Sequence, residues 1–372
     1  MIVGLQLENF RSYPRLQLAV PPAPLVFLVG PNGAGKTNLL EALSILGGGR
    51  GLRGAQVQEM IREGHDADPA WVVNAEVART PLRHKISQAL TRQGRLARLD
   101  QKPVTATRLR QLLPTVALTP GEDNLFRGGA EARRTLLDRF ATTLYPDHRG
   151  QVSAYARALR ERNALLRAAA TAGQRPDAAW LTGLEAALAT HGVALAHQRR
   201  SYMAELATAV AQDQGPFPAA ILGLLGDMEA ELADQDAADV EAAWRQRWHQ
   251  ERRQDLAAGR TRSGPHRSDL AITYRAKGRA AAQCSTGEQK ALLLSLFIGQ
   301  ARLLQARGVR PLLLLDEVAA HLDAGRRLAL MSTLVELQAQ TWITGTDRSL
   351  LLPPELEDKS QVFTLQNSRL IL

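Results

Sequence analysis

Cysteine is almost absent. The single Cys284 among 372 residues cannot close an intrachain disulfide, so the fold does not depend on an oxidising compartment. Lysine is also scarce, at six of the 46 basic residues, the remainder being arginine. Long apolar runs are missing. The most apolar stretches, 216–225, 291–298 (interrupted by Ser295) and 311–315, fall well short of the ~20 residues a bilayer span requires. The opening Met1-Ile2-Val3-Gly4 lacks the basic start of a secretory signal. Neither an internal repeat nor a low-complexity tract interrupts the chain. These absences exclude a disulfide scaffold, a repeat array and a helical membrane protein. They predict a soluble, cytoplasmic chain with no membrane partner.

What is present fits a globular protein. Hydrophobic residues make up 45% of the chain, enough for real cores, and the length favours two lobes. The formal net charge is +9, which favours polyanionic partners through counterion release. An arginine-rich composition alone would give the same excess, so charge by itself does not choose between nucleic-acid binding and compositional bias.

Strand-like alternation opens the chain, with Val3, Leu5 and Leu7 followed by Leu16, Leu18 and Val20. After the turn signalled by Pro21, Pro22 and Pro24, Leu25–Val29 is apolar throughout, as suits a strand buried on both faces. Thr37–Leu46 reads as a helix stopped by Gly47-Gly48-Gly49, and residues 70–104 read as β-rich. From Glu131 to about Leu256 the composition turns to Ala, Leu, Arg, Glu and Gln. Val152, Tyr155, Leu159 and Leu166 share a helical face there, beside Arg157, Arg160 and Arg167. Gly173, Gly183, Gly192 and the Gly215–Pro218 break predict several separate helices, with Trp244 and Trp248 meeting on one face. The stretch is too short for a long coiled-coil arm, since even ~50 helical residues reach only ~75 Å. Strand pattern returns at Asp269–Tyr274, Pro311–Leu315 and 341–344, with helices after Gly287 and over 324–338. The predicted plan is an α/β lobe, a mixed sheet flanked by helices, with a helical lobe inserted: 1–120 and 257–372 form the two halves of the first, 121–256 the second.

Three motifs carry chemistry. Gly30-Pro31-Asn32-Gly33-Ala34-Gly35-Lys36-Thr37 matches the phosphate-binding loop G-x-x-x-x-G-K-[ST], and it sits between an apolar strand and a helix, as that motif requires. Its glycines let successive N–H groups turn onto phosphates, and the helix N-terminus adds positive potential. Lys36 is expected to bridge the β- and γ-phosphates of ATP and Thr37 to ligate Mg²⁺. Leu312–Leu315 is a buried strand ending in two acids: Asp316 is placed to hold Mg²⁺ and Glu317 to act as general base on the attacking water. Acids at a strand end are common, but the pairing with the loop gives them meaning. Third, Ser285-Thr286-Gly287-Glu288-Gln289-Lys290 resembles the ABC signature S-x-G-x-[QK], with Ser285, the Gly287 amide and the helix dipole forming a second anion site. An ordinary N-capped helix would read similarly. Its position ahead of the Asp-Glu strand favours the signature, and Ala319-Ala320-His321-Leu322-Asp323 then resembles the ABC D-loop, Asp323 in the matching place. In that class one subunit's signature meets the γ-phosphate held by another, so the resemblance implies head-to-tail ATP-dependent homodimerisation, undone by hydrolysis.

Other segments narrow the resemblance. Leu5-x-Leu7-x-Asn9-Phe10-Arg11-Ser12-Tyr13 resembles the opening strand of RecF and SMC-like ATPases, which implies a place near the nucleotide for Arg11. The segment 118–123 leading into 128–138, the segment Arg262–Asp269 and a signature helix with no long arm are similar to the RecF family in particular, over nearly the whole chain. The resemblance implies an ABC-ATPase head that is a weak, DNA-dependent ATPase. It implies binding of double- and single-stranded DNA in recombinational repair, cooperation with RecR and RecO in recombinase loading, and effects on replication restart and the SOS response. Two departures stand out. No Gln precedes the helical lobe in Val116–Pro120, and no switch His follows the last strand at Ile343–Asp347. Both point to slow hydrolysis. Arg133, Arg134, His266 and Arg267 are candidates either for DNA or nucleotide contact or for bracing the lobes. Three alternatives remain open on sequence: an SMC-like structural head, opposed by the missing coiled coil; a transporter's nucleotide subunit, opposed by the insert and the charge; and a nucleotide-binding regulator without DNA.

Overall fold

The computed structural model describes residues 1–372 apart from 50, 53, 80, 213, 214, 319–321 and 372, and the backbone alone at Leu350. Two compact units emerge: one from 1–123, 213–218 and 293–372, the other from 124–212 and 219–292. The expected boundary at 256 falls inside the second unit, which continues through the signature segment.

Along the first unit run β1 (Ile2–Phe10), β2 (Tyr13–Ala19), β3 (Leu25–Val29) and α1 (Lys36–Leu46). Then come β4 (Trp71–Arg79), β5 (Leu82–Thr91), β6 (Gly94–Leu99), β7 (Lys102–Pro103), α2 (Ala106–Leu112) and β8 (Thr115–Leu118). The second unit follows with α3 (Ala130–Leu144), α4 (His148–Ala172), α5 (Ala178–Gln212), β9 (Ala220–Leu225), α6 (Asp227–Glu231), α7 (Ala237–Ala258), β10 (Asp269–Tyr274) and β11 (Arg279–Ala280). The chain crosses back within α8 (Thr286–Ala306) and ends with β12 (Leu312–Leu315), α9 (Ala324–Glu336), β13 (Gln340–Gly345), α10 (Arg348–Leu351), β14 (Ser360–Gln366) and β15 (Arg369–Ile371). No described helix is long and apolar enough to cross a membrane.

The first unit holds two sheets. One is antiparallel, in the order β2-β1-β4-β5-β6-β7. The other runs β15-β14-β3-β13-β12-β8 and is parallel except for its β14–β15 hairpin. Every residue of β3, β12 and β13 is buried; β3 and β12 accordingly read as unbroken apolar runs rather than alternations, while β13 also buries Gln340, Thr341 and Thr344. α1 fills the space between: Leu39, Leu40, Leu43 and Leu46 join Leu5, Leu7, Phe10, Trp71 and Trp342 in one core. Since β3, β13 and β12 are parallel neighbours, their carboxyl ends lie along one edge, where α/β sheets receive ligands.

The second unit is less purely helical than its composition predicts. Antiparallel β9, β10 and β11 form a small sheet, and β9 lies just after Pro216–Pro218, where only a helix break is expected. α5 runs unbroken for 35 residues through Gly183 and Gly192. Gly192 is there for close approach: a Cβ would come within 3.2 Å of the Tyr155 ring and 3.4 Å of Met228, so the helix tolerates its cost of ~1 kcal/mol in exchange for packing. Gly173 does end α4, in the left-handed conformation. Trp244 and Trp248 are fully buried and meet edge to face at 5.2 Å, as their spacing predicts.

The apolar stripe of α4 contains one charge. Arg162, spaced seven residues from Tyr155 and four from Leu166, is fully buried. It donates to Asp255 at 2.6 Å, Thr261 at 2.8 Å, Glu185 at 3.0 Å and the Trp248 carbonyl at 3.2 Å. Glu185 is shared with Arg252 at 2.6 Å. Removing the central cation strands buried carboxylates, so Arg162→Ala is expected to cost about 3–5 kcal/mol, measured by urea unfolding. A loss no larger than that of an exposed arginine such as Arg160 would show the network to be energetically idle.

Candidate functional site

The loop after β3 is shaped by glycines that nothing larger replaces. A Cβ on Gly30 would lie 2.1 Å from the Leu365 carbonyl, and one on Gly35 would meet the Tyr13 hydroxyl at 2.7 Å and Ser368 Oγ at 3.0 Å. Gly33 and Gly35 have φ of 80° and 97°, left-handed conformations that favour glycine. Neighbouring elements fix the loop's outer side. Ser368, in the β14–β15 turn, donates its N–H to the Ala34 carbonyl at 3.1 Å, and Tyr13 donates its hydroxyl to the Gly35 carbonyl at 3.1 Å. α1 begins at Lys36 with no side-chain cap and no acid in its first turn, so its first N–H groups have no anionic group of their own. Pro31, Asn32 and Gly33 are exposed; Ala34 and Lys36 are buried.

Lys36 folds back over this loop and donates to the Gly30 and Pro31 carbonyls at 2.7 and 3.0 Å. Burial pulls its ammonium below the ordinary lysine range, while the nearby Glu317 and Asp316 carboxylates push the other way. The cation is thus held by weak carbonyl acceptors at the mouth of an anion cradle, positioned to exchange them for phosphate oxygens.

The carboxyl ends of β12 and β13 complete the site. Asp316 is 4% exposed, and its Oδ1 accepts from Thr37 Oγ1 at 3.0 Å and from Thr344 Oγ1 at 2.7 Å. Glu317 has φ 55°, an uncommon backbone for a non-glycine, and donates its N–H to Thr344 Oγ1 at 2.8 Å. Thr344 is the residue sequence reasoning missed. Its hydroxyl stands where a switch His was sought, and it locks the Asp-Glu pair. The strand pattern at 341–344 was the available signal: once β13 pairs with β12, with Ile343 opposite Leu315, Thr344 flanks the two acids. Thr37 and Asp316, two oxygens already in contact, suit Mg²⁺, which takes one or two protein oxygens plus phosphates and water. Among the described residues no cluster of three or more His, Cys, Asp or Glu offers a closed metal cage.

Arg11 does not point a free cation at the loop. It donates to both oxygens of buried Glu41 on α1, at 2.8 and 3.2 Å, and also to the Glu59 carbonyl. It therefore braces the phosphate-loop helix from the turn between β1 and β2. Ala319–His321 of the expected D-loop lie outside the described residues. Asp323 caps α9 by accepting from the Arg326 N–H at 2.9 Å.

The signature segment lies in the second unit. Ser285, Thr286 and Gly287 are exposed at the start of α8, and a Cβ on Gly287 would meet nothing within 4 Å. Glu288 reaches back to the Ser285 N–H at 2.9 Å while Ser285 Oγ accepts from the Glu288 N–H at 3.4 Å, a capping box. Glu288 also pairs with Lys277, and these contacts drop its carboxyl to about 2.

Of the four remaining candidates, three are internal. Arg133 pairs with both oxygens of Asp269 at 2.7 and 2.9 Å, and Arg134 donates to the Ser268 carbonyl at 2.6 Å. His266 donates from Nε2 to the Thr261 carbonyl at 3.1 Å, so its Nδ1 accepts the Tyr155 hydroxyl at 2.7 Å. Arg267 alone is exposed.

The chain is similar to known proteins over nearly its whole length. The sequence profile described as RecF/RecN/SMC N terminal domain matches residues 1–367. The DNA replication and repair protein RecF of Mesorhizobium japonicum is 42% identical over 374 residues, spanning 98% of this chain and 96% of the relative. That of Caulobacter vibrioides is 44% identical over 361 residues, 94% and 92% of the two chains. In fold, the chain is similar to the recombination mediator protein RecF-ATPrS of the RecFOR pathway, with a TM-score of 0.85 at 22% identity over 100% of this chain and 97% of that one. It is less similar to an Smc head bound to the C-winged helix domain of ScpA, with a TM-score of 0.55 at 14% identity over 100% and 96% of the two chains.

Two outcomes follow from the site's geometry. Gly30→Ala is expected to lower the thermal midpoint and abolish nucleotide binding, whereas Gly33→Ala, with nothing within 4 Å of the added methyl, should cost only the ~1–2 kcal/mol of left-handed backbone. Equal losses in melting and nucleotide titration would contradict the clash. Second, burial holds His266 down to about 4, so the unfolded ring binds a proton more readily than the folded one. Stability is then complete at neutral pH and falls as pH drops from the ordinary histidine range toward 4. The urea midpoint of wild type should fall more steeply over that window than that of His266→Asn; parallel curves would refute a neutral, buried ring.

Proposed function

The chain belongs to the RecF family, and on that premise we propose that it is an ATP-dependent DNA-binding protein of recombinational repair. In this reading ATP joins two copies head to tail on DNA, and slow hydrolysis releases them. The observation that carries it is the meeting of the start of α1 and the carboxyl ends of β12 and β13 around one carboxylate: Thr37 and Thr344 both donate to Asp316, and Glu317 is held beside them by the same threonine. With the uncapped start of α1, this is a place for a triphosphate.

Each residue has a role in that reading. Gly30–Gly35 wrap the β- and γ-phosphates with backbone N–H groups, and Lys36 moves from its carbonyls onto the phosphate oxygens. Thr37 and Asp316 would hold Mg²⁺, which neutralises charge on the β- and γ-oxygens when bound. Glu317 accepts the proton of the attacking water. Arg11 positions α1 through Glu41. Ser285 and the Gly287 N–H, exposed on the second unit, receive the γ-phosphate bound by the other copy, with Asp323 nearby on that interface. Slowness also has a physical basis. Thr344 donates to Asp316 and accepts from Glu317, so it offers no titratable group for the proton that a switch His would shuttle. Asp347 is spent capping α10.

From the relatives' role in the RecFOR pathway, RecR and RecO are the proposed protein partners and recombinase loading the outcome, with replication restart and the SOS response downstream. Double- and single-stranded DNA are the proposed nucleic-acid ligands. The +9 net charge suits that polyanionic ligand, and it is the family relationship that favours DNA over a role confined to nucleotide.

Lys36→Ala should lose ATP binding, and Glu317→Gln should accumulate as an ATP-bound dimer because the nucleotide stays intact at the interface. Sedimentation with and without ATP and Mg²⁺ reads both. A Glu317→Gln protein that binds ATP yet keeps its monomer mass would remove the nucleotide-sandwich reading.

A further inference from the structure

The segment 261–268, between α7 and β10, has no regular structure beyond one 3-10 turn at Pro265–Arg267, yet it is gripped from every side of the second unit. Asn163 accepts from the Thr261 N–H at 2.7 Å, Trp248 donates to the Ser263 carbonyl at 3.0 Å and Arg199 donates to the Pro265 carbonyl at 2.7 Å. Further along, Tyr155 holds His266, Arg134 holds the Ser268 carbonyl, and Ser268 Oγ donates to Glu229 at 2.6 Å. Gly264, at φ 126°, admits the chain between Tyr155 and Trp248, where a Cβ would lie 2.7 and 3.0 Å away. Two of the gripping groups, Arg199 and Glu229, are buried ionisable side chains, expensive to desolvate. Packing alone does not need so stiff a loop.

Two side chains of this segment face outward, Arg262 and Arg267. Arg262 is turned back onto Gln254 and Asp255. Arg267 is exposed and has no side-chain hydrogen-bond partner among the described residues. A second loop shares its anchor. Arg133, next to Arg134 on α3, donates to the Leu125 and Gly128 carbonyls at 3.1 and 2.7 Å while its other edge grips Asp269. That fixes the backbone on both sides of Arg127, which is likewise exposed and without a side-chain partner among the described residues. Adjacent residues of one helix thus fasten two loops, each of which presents one uncommitted guanidinium. Asp269, beside the second loop, is neutralised by Arg133.

We propose that Arg127 and Arg267 form a preorganised phosphate grip on the second unit that binds the DNA backbone. The proposal rests on the DNA-binding reading above and assigns it a place. Guanidinium forks match phosphodiester oxygens, and a backbone already rigid loses little freedom on binding. Contacts of this kind read no base, so the grip is sequence-neutral and salt-sensitive.

The test is fluorescence anisotropy of a labelled duplex titrated with full-length protein, ATP and Mg²⁺ present, across a salt series. Wild type, Arg127→Ala/Arg267→Ala and Arg127→Lys/Arg267→Lys are compared, with thermal melting to confirm folding and sedimentation with ATP as control. The alanine pair should bind about tenfold or more weakly at low salt and flatten the log–log salt slope by about two, each lost phosphate contact removing ~0.9. The lysine pair should keep most of the slope, and ATP-driven dimerisation should be unchanged. Wild-type affinity and slope in the alanine pair would overturn the assignment. So would loss of dimerisation with ATP alone, which would place these arginines at nucleotide rather than DNA. A wild-type protein that binds no duplex at any salt would remove the DNA-binding reading itself, and this grip with it.

Discussion

One carboxylate oxygen carries the architecture of the first unit's site. Asp316 Oδ1 accepts from Thr37, 279 residues away in sequence, and from Thr344, 28 residues away. Those bonds join the phosphate-loop helix, the acid-bearing strand and the strand between them. They form only if β3, β13 and β12 are parallel, adjacent and in register, which requires both ends of the chain to enter one sheet. The second unit can therefore be inserted as a separate body without disturbing the chemistry.

The two units solve different physical problems. The first leaves polar groups unsatisfied by anything strong: an uncapped helix start and a lysine resting on carbonyls. Both suit an anionic ligand such as a triphosphate. The second does the opposite. It buries Arg162, Arg199, Glu185 and Asp255 in saturated networks that leave little freedom to the backbone around them. Its signature segment stays on the surface, with Glu288 occupying the Ser285 N–H under the partial neutralisation of Lys277.

Much of this was legible in the sequence because it follows from local rules. The loop Gly30–Thr37, the buried strand before Asp316 and the Trp244–Trp248 pair each follow from spacing alone. What escaped was decided by tertiary context. β9 looked like a mere break because Pro216 and Pro218 punctuate it, and its strand character depends on pairing with β10 fifty residues on. Gly192 reads as a helix end because its neighbours Tyr155 and Met228 cannot be seen from local sequence, while Gly183 lies on an open face of α5 with nothing within 4 Å of an added Cβ. Arg162 sat in an apolar stripe and was passed over, since a single charge at a buried position makes sense only once Glu185 and Asp255 are known to face it. The resemblance implies a place near the nucleotide for Arg11, but not that Glu41, five residues past Lys36 on α1, holds its guanidinium. Thr344 lay hidden behind the search for a histidine.

The central claim is that the triphosphate of one copy is enclosed by the signature of another. Asn32 and Thr286 are both exposed, one beside each half of the supposed composite site, and the native Cys284 is buried. Mixing Asn32→Cys protomers with Thr286→Cys protomers and adding a short bis-maleimide should give crosslinked heterodimers only when ATP is present, with little product from either variant alone. ATP-independent crosslinking, or none under conditions where nucleotide is bound, would contradict the account.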